Sequence, residues 1–383
     1  MTHYKIYNKT EDLPDSWNDL TTHDVLLQPA YLKGLESASP NNIQCFYIGV
    51  FINDELVGIA LIQRVQLYLK DMFRDSGVSC VKTFVKDNLS KVLKGNILVV
   101  GNLTHTGQHG LYFDGKKIAP NTFYNEIFKG LEELKSKIKA ENNKTIRLVL
   151  VKDFFLNDTF IDENFFQSKK LHKASVQPNM IMNVLGDWSC NQDYISCMKK
   201  KYRDRYKRAK KKLNSITCSE MDLEMVKANS KLIHDLYLNV SDNAKFNTFI
   251  LPENHFYHCK LRLKEKFKVF GYYLKDELIG FFTLILNNNH LETYFLGYDH
   301  EHQYPNQLYL NMLYDMAQFG IENKFQSIVY ARTAMEIKSS VGAKPKPMVM
   351  YLKHTNIILN AILKQVFRFM NPSKEWEERH PFD

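Results

Sequence analysis

Two stretches of the chain carry nearly the same alternation of apolar and polar residues. Residues 49–63 read GVFINDELVGIALIQ and residues 271–285 read GYYLKDELIGFFTLI. Each is an apolar run, a polar turn (Asn53-Asp54-Glu55; Lys275-Asp276-Glu277) and a second apolar run with Gly58 or Gly280 near its start, which predicts a β-hairpin. The residues downstream of each hairpin match as well. After the first hairpin and an insertion come NILVVGN at 96–102, a loop, a helical pattern from Asn121 to Lys139 and the strand-like TIRLVLV at 145–151. After the second come HLETYFLGYD at 290–299, a helical stretch from Pro305 to Asn323 and QSIVYA at 326–331. In that stretch Leu308, Met312, Leu313, Met316 and Ala317 recur at helical spacing. Both halves read hairpin, strand, helix, strand, so the pattern predicts a mixed α/β fold built by duplication.

The strand-like NMIMNVL at 179–185 passes through Gly186 into a basic segment, and this places the expected domain boundary there: 1–185 and 186–383. The insertion, residues 64–94, has helical spacing. Its Lys70, Arg74, Lys82 and Lys86 stand beside Met72, Phe73, Val81 and Phe84, the composition of an interfacial helix or of an ordinary packing helix. A further helix is expected over 354–370, apolar but too short to span a bilayer.

The basic segment, MKKKYRDRYKRAKKKL at 198–213, has ten Lys or Arg against one acid between Lys199 and Lys212. On a helix, Ile195, Met198, Tyr202, Tyr206, Ala209 and Leu213 form one stripe, so the segment has a docking face and is expected to fold. Like charges at i,i+4, such as Lys207 and Lys211, each cost a few tenths of a kcal/mol. The rest of the helix is therefore either a solvated face or a seat for an anion. The anions to weigh are the pyrophosphate of a coenzyme A carrier, an acidic acyl carrier protein, tRNA and an anionic membrane. Arg203 and Arg205 have the fork that suits phosphate oxygens.

Composition narrows this only a little. The 383 residues carry a formal charge of +9 at a pI near 9.0, which favours anionic partners without selecting among them. Zinc-finger spacing, RNP-like aromatics and heptads after the basic run are all missing, so DNA binding is not expected. The six cysteines form no C-x-x-C pair and no zinc spacing, and read as reduced core thiols with no metal. The N-terminal residues lack a signal-peptide pattern and no apolar run is long enough to span, so the expected compartment is the cytoplasm, with peripheral contact at the inner face of the membrane left open.

Group-transfer chemistry near neutral pH needs a proton acceptor and donors for developing negative charge. His105 and His109, in GNLTHTGQHGLYFDG at 101–115, are either that base or loop histidines with local hydrogen bonds. Gly107, Gln108 and Gly110 of the same loop could approach a phosphate or the reacting carbonyl. Glu292, Tyr298 and Asp299 lie on or after the strand of the second copy, where Tyr298 could protonate a leaving group or serve as a structural tyrosine. Arg332 and Lys338, with Thr333 and Glu336, follow the strand 326–331 on the edge where α/β sheets hold ligands. There Arg332 either grips an anion or braces the turn against Glu336.

The duplicated unit resembles the GNAT acyltransferase fold, and its tandem arrangement resembles the Fem-type peptidyltransferases and related peptidoglycan biosynthesis and recognition proteins. The phrases QPNMIMNV, MKKKYRDRYKRAKKK, SDNAKFN (241–247), YARTAMEIKSSVGA (330–343) and RHPF (379–382) carry the resemblance. It implies two GNAT-like domains side by side and transfer of an acyl group from acyl-CoA or acyl carrier protein, as co-substrate with no permanently bound cofactor, to an amine. It also implies an acid such as Glu292 as base. The GNAT phosphate loop, Q/R-x-x-G-x-G/A, is replaced in the second copy by HEHQYPNQ, which has no glycine. The leading expectation is an N-acyltransferase, with a lipid amine such as a sphingoid base as one acceptor. The alternatives are a Fem-like aminoacyl-tRNA-dependent transferase on a cell-wall precursor, or a non-catalytic peptidoglycan or membrane-surface recognition protein.

Overall fold

A computed structural model describes residues 1–67, 95–242, 248–370 and 375–382. The chain divides into two compact units. The first comprises Met1–Val176, Lys245–Leu251 and Pro347–Lys374; the second comprises Gln177–Ala244, Pro252–Lys346 and Glu375–Asp383.

In the first unit the sheet begins with β1 (Thr2–Tyr7), β2 (Ile43–Ile52) and β3 (Glu55–Leu67). β4 (Gly95–Val100) pairs antiparallel to β3, and β6 (Ile146–Phe155) lies parallel to β4. A short β5 (Leu111–Phe113) pairs back on β3 beyond the end of β4. The predicted hairpin is β2–β3, turning through Asn53 (φ 47°) and Asp54 (φ 68°), the left-handed pair that a two-residue turn needs to match strand twist. The long helix Pro120–Asn142 buries Phe123, Ile127, Leu131, Leu134 and Ile138, one apolar stripe at steps of three and four. Each such side chain contributes roughly 1.5–3 kcal/mol.

The second unit repeats the order. β8 (Thr217–Glu220), β9 (Phe267–Leu274), β10 (Glu277–Asn287) and β11 (His290–Tyr298) are antiparallel in sequence, and β12 (Ser327–Val329) is parallel to β11. Its hairpin turns through Lys275 (φ 49°) and Asp276 (φ 69°). The helix Leu308–Glu322 buries Leu310, Leu313, Met316, Ala317 and Ile321.

Each unit is closed by a strand from the other half of the chain. β7 (His172–Asn183) leads out of the first unit and pairs antiparallel with β12. β13 (Lys344–His354) leads out of the second and pairs antiparallel with β6 from Met348 to His354. This exchange is not visible in the alternation of residues, because each strand satisfies its own pattern whichever sheet it joins.

Several expectations need correction. The predicted helical insertion 64–94 begins as strand, since β3 runs to Leu67; residues 68–94 lie outside the described residues, as do residues 243–247 of SDNAKFN. HEHQYPNQ, read as a loop, is largely a helix, His300–Asn306, because Asp299 Oδ1 accepts from Glu301 N at 2.7 Å and caps it. Gln307 (φ 51°) then breaks the chain before the second helix, so the helix predicted from Pro305 starts at Leu308. The stripe from Ile195 to Leu213 is split between two helices, Asn191–Cys197 and Lys200–Leu213, with Met198 and Lys199 extended between them. There Lys199 N donates to Pro381 O at 2.8 Å. The cysteines are not all core residues: Cys45 and Cys259 are buried, whereas Cys190, Cys197 and Cys218 are exposed.

Candidate functional site

In both units the two central parallel strands part, and the chemistry gathers where they do. In the first unit the β4–β6 ladder ends at Val100 with Val151. The chain leaves at Gly101 into the loop 101–110 and returns as β5. Two residues of β6 fasten that loop. Lys152 Nζ donates to Asn102 O (2.5 Å) and His105 O (2.8 Å) and pairs with the Asp153 carboxylate at 2.6 Å. Asp153, 1% exposed and left-handed at φ 66°, also accepts from Gly107 N at 3.3 Å. Asn102 Nδ2 donates to Tyr31 Oη at 2.9 Å, and Gln63 Oε1 accepts from Leu103 N at 2.6 Å. Gly110 crosses so close to Gly101 that a Cβ on it would lie 2.1 Å from the Gly101 Cα.

This loop presents an Asp–His pair. His109 Nδ1 lies 2.7 Å from Asp24 Oδ2, and the same Asp24 caps the turn Val25–Leu27 through Leu26 N. A carboxylate at Nδ1 selects the tautomer protonated there and leaves Nε2 with its lone pair, the form a base needs. Gly107, at φ 118°, makes room: a Cβ on it would lie 2.7 Å from His109 Nε2. The His105 ring, buried, sits 5.1 Å from the His109 ring. The glycines and Gln108 expected to approach a phosphate are thus placed in a loop whose Gly107 amide is engaged by Asp153. Both side-chain polar atoms of Gln108 are buried without a hydrogen-bond partner among the described residues.

In the second unit the β11–β12 ladder has three residue pairs, ending at Glu292 with Val329, while β11 runs on to Tyr298. Past β12 the chain turns through Ala331, Thr333 and Ala334, all left-handed (φ 58°, 67° and 45°), a concentration of backbone strain in four residues. Lys338 holds this turn from inside, donating to Arg332 O at 2.5 Å; burial pulls its ammonium pKa down to about 7. The residues after the turn form one wall of a cleft of about 580 Å³. The wall consists of Ala334, Met335, Glu336 and Ile337; Lys201, Tyr202, Arg205 and Arg208 of the basic helix face it, and Trp376 and Arg379 of the C-terminal segment complete it.

The basic helix is held by its apolar stripe, as expected: Tyr202 and Ala209 are buried, and Tyr206 packs edge-on against Tyr314 with centroids 4.8 Å apart. Lys210 is tied to Asp315, which also receives the Tyr272 hydroxyl. The C-terminal segment is fixed by Phe382 against Trp188 and Tyr194 and by Arg379 N donating to Ser339 Oγ at 2.9 Å. Of the lining side chains, four are cationic and one, Glu336, is acidic; Glu336 is paired with Arg379. Among the described residues no acid is paired with Lys201, Arg205 or Arg208, and Arg205 opposes the burial that raises the Tyr314 hydroxyl to about 12.

Of the residues singled out from sequence, Arg205 lines the cleft, whereas Arg203 donates to the carbonyls of Ser196 and Met198 at the end of the preceding helix. Arg332 and Lys338 belong to the strained turn, and the brace expected between Arg332 and Glu336 is supplied to Glu336 by Arg379 instead. Glu292 is buried on β11, and Asp299 is the cap already described. Tyr298 is half-buried, which raises its pKa. Sequence reasoning missed Asp24, Lys152, Asp153 and Trp376. Lys152 and Asp153 had a signal, the carboxyl end of a parallel strand. Asp24 had none, lying 85 residues from its histidine.

No family model and no curated protein matches the sequence. Solved structures do match in fold. FemX aligns over 94% of this chain and 100% of its own, with a TM-score of 0.56 at 10% identity. A tandem GNAT protein from the clavulanic acid biosynthesis pathway aligns over 93% and 99%, with a TM-score of 0.51 at 10% identity. Taken with the repeated strand order, these likenesses show that the chain shares the tandem fold of these two proteins.

Proposed function

We propose that the chain is an N-acyltransferase in which each unit is one GNAT-like domain and the second holds a phosphate-bearing acyl carrier. The observation that carries this reading is the cleft, where Lys201, Arg205 and Arg208 stand opposite Met335, Ile337 and Trp376. A carrier with an anionic handle and an apolar chain, an acyl-CoA or the phosphopantetheine arm of an acyl carrier protein, matches both walls. No permanently bound cofactor is needed. The amine nitrogen bonds to the thioester carbonyl, the carbon–sulfur bond breaks, the ammonium loses a proton and the thiolate takes one up.

Protein incubated with acyl thioesters and primary amines, long-chain lipid amines included, is expected to release free thiol. No thiol release at any chain length would sink the thioester donor. The same cationic cleft would suit a second version, implied by the Fem-type resemblance of the sequence, in which the anionic carrier is an aminoacyl-tRNA and the acceptor a cell-wall precursor. Steep loss of RNA binding with rising salt, together with transfer from charged tRNA, would establish that version.

A further inference from the structure

The helix Ile357–Met370 near the end of the first unit has an outer face that the described residues around it do not cover. Its start is built by Asn356, whose Oδ1 accepts from Ile358 N (3.0 Å) and Leu359 N (3.1 Å). Its inner face is pinned by Leu363, which is fully buried, and by Asn360. Asn360 Oδ1 accepts from His354 N at 2.8 Å, its Nδ2 donates to Lys170 O at 3.1 Å, and its carbonyl lies 2.8 Å from His172 Nε2. With that side fixed, the opposite side presents Ile357 at 70%, Ile358 at 73% and Ile362 at 44% exposure, with exposed Ala361 between them. A surface helix whose only task is to pack on the sheet carries polar residues there.

The neighbourhood is basic. Lys353 stands on β13 just before the helix, and the charges of Lys135, Lys170 and Lys169 crowd it enough to add to the effect of burial in lowering its pKa. The acid acting on it, Glu132, is paired with Lys135 at 2.5 Å. Exposed Arg147 adjoins the helix start, where its carbonyl accepts from Thr355 N at 2.8 Å, and Lys364 is exposed on the helix itself. Exposed isoleucines ringed by cations match one partner chemistry, a bilayer with anionic headgroups: apolar side chains enter the acyl boundary while lysines meet the phosphates.

We propose that the helix Ile357–Met370 lies in the interface of an anionic membrane and docks the first unit there. The surface shares no residue with the cleft or with the His109 loop, so its test needs no activity. Vesicles of phosphatidylcholine alone and of phosphatidylcholine with phosphatidylglycerol are floated with the full-length protein at low and high salt. The expected result is recovery with the anionic vesicles only, weakening with salt. Ile358→Ser with Ile362→Ser should weaken binding at least tenfold, and Lys170→Glu or Lys353→Glu by about fivefold each. All four residues have solvent access, and circular dichroism with thermal unfolding checks that the variants fold. Absence of flotation, equal recovery with uncharged vesicles, or binding indifferent to the isoleucine changes would overturn the proposal. So would a dimer in solution that Ile358→Ser disperses, which would assign the face to a second copy of the chain.

Discussion

Lys152, on β6, and Lys338, in the segment after β12, belong to the surroundings of the equivalent parallel strands in the two units and do opposite things with a buried ammonium. Lys152 has a carboxylate beside it on β6: Asp153 at 2.6 Å neutralises it, and together they fasten the loop 101–110. Lys338 follows β12 with carbonyl oxygens as its hydrogen-bond partners, Arg332 O at 2.5 Å and Ala331 O at 3.4 Å, and burial lowers its pKa to about 7. The same duplicated frame has therefore closed one strand parting with an internal ion pair. At the other it carries a cationic cleft whose acid is already engaged. A buried pair fixes geometry, whereas unpaired cations wait for a ligand. The first unit should respond to charge removal with lost stability, and the second with lost binding.

The largest effect expected from this contrast is in the first unit. Lys152→Met removes one partner of a buried pair, leaves the Asp153 carboxylate without its cation and releases the carbonyls of Asn102 and His105. The expected loss is about 3–5 kcal/mol, measured by denaturant unfolding. A loss below about 1 kcal/mol would mean that water already reaches the pair, and the contrast between the units would fail.

The next effect lies in the second unit and is of another kind. Arg205→Ala with Arg208→Ala removes two cleft cations from a helix that is held by its opposite, apolar stripe. Stability should change by no more than about 0.5 kcal/mol. Affinity for a phosphate-bearing carrier should fall on the order of ten- to a hundredfold, read as KM or by calorimetry. Loss of stability with unchanged affinity would reverse the roles assigned to the two units.

Much of this frame could be read from residue pattern, and the reasons are local. The hairpins were legible because a two-residue turn demands left-handed residues, and Asn53-Asp54 and Lys275-Asp276 announce it. The basic helix was legible because Tyr202, Tyr206 and Ala209 mark its docking face. The cleft opposite that helix was not, because Trp376 and Arg379 arrive from a distant part of the chain and nothing in RHPF says where it lands. The Asp24–His109 pair was half legible: the histidine stands in a polar loop, but its partner is chosen by tertiary structure. The exchange of β7 and β13 was hidden altogether, since register within a strand does not say which sheet receives it.

The smallest effect is a slope rather than an offset, and it tests whether Lys338 is as isolated as the contrast between the units requires. Its pKa falls from 10.5 in the unfolded chain to about 7 in the folded one. Between those values the unfolded chain binds more protons, so the contribution of this group to stability rises with pH across that window and is flat below it. One group contributes a slope of at most about 1.4 kcal/mol per pH unit. Buried tyrosines such as Tyr314 push the other way at the alkaline end, since their folded pKa is raised, but they are common to wild type and variant. The measurement is therefore the difference in unfolding free energy between wild type and Lys338→Met from pH 7 to 10. That difference should shift in favour of wild type as pH rises. A flat difference would mean that an acid or water stabilises the ammonium, and the second unit would then resemble the first.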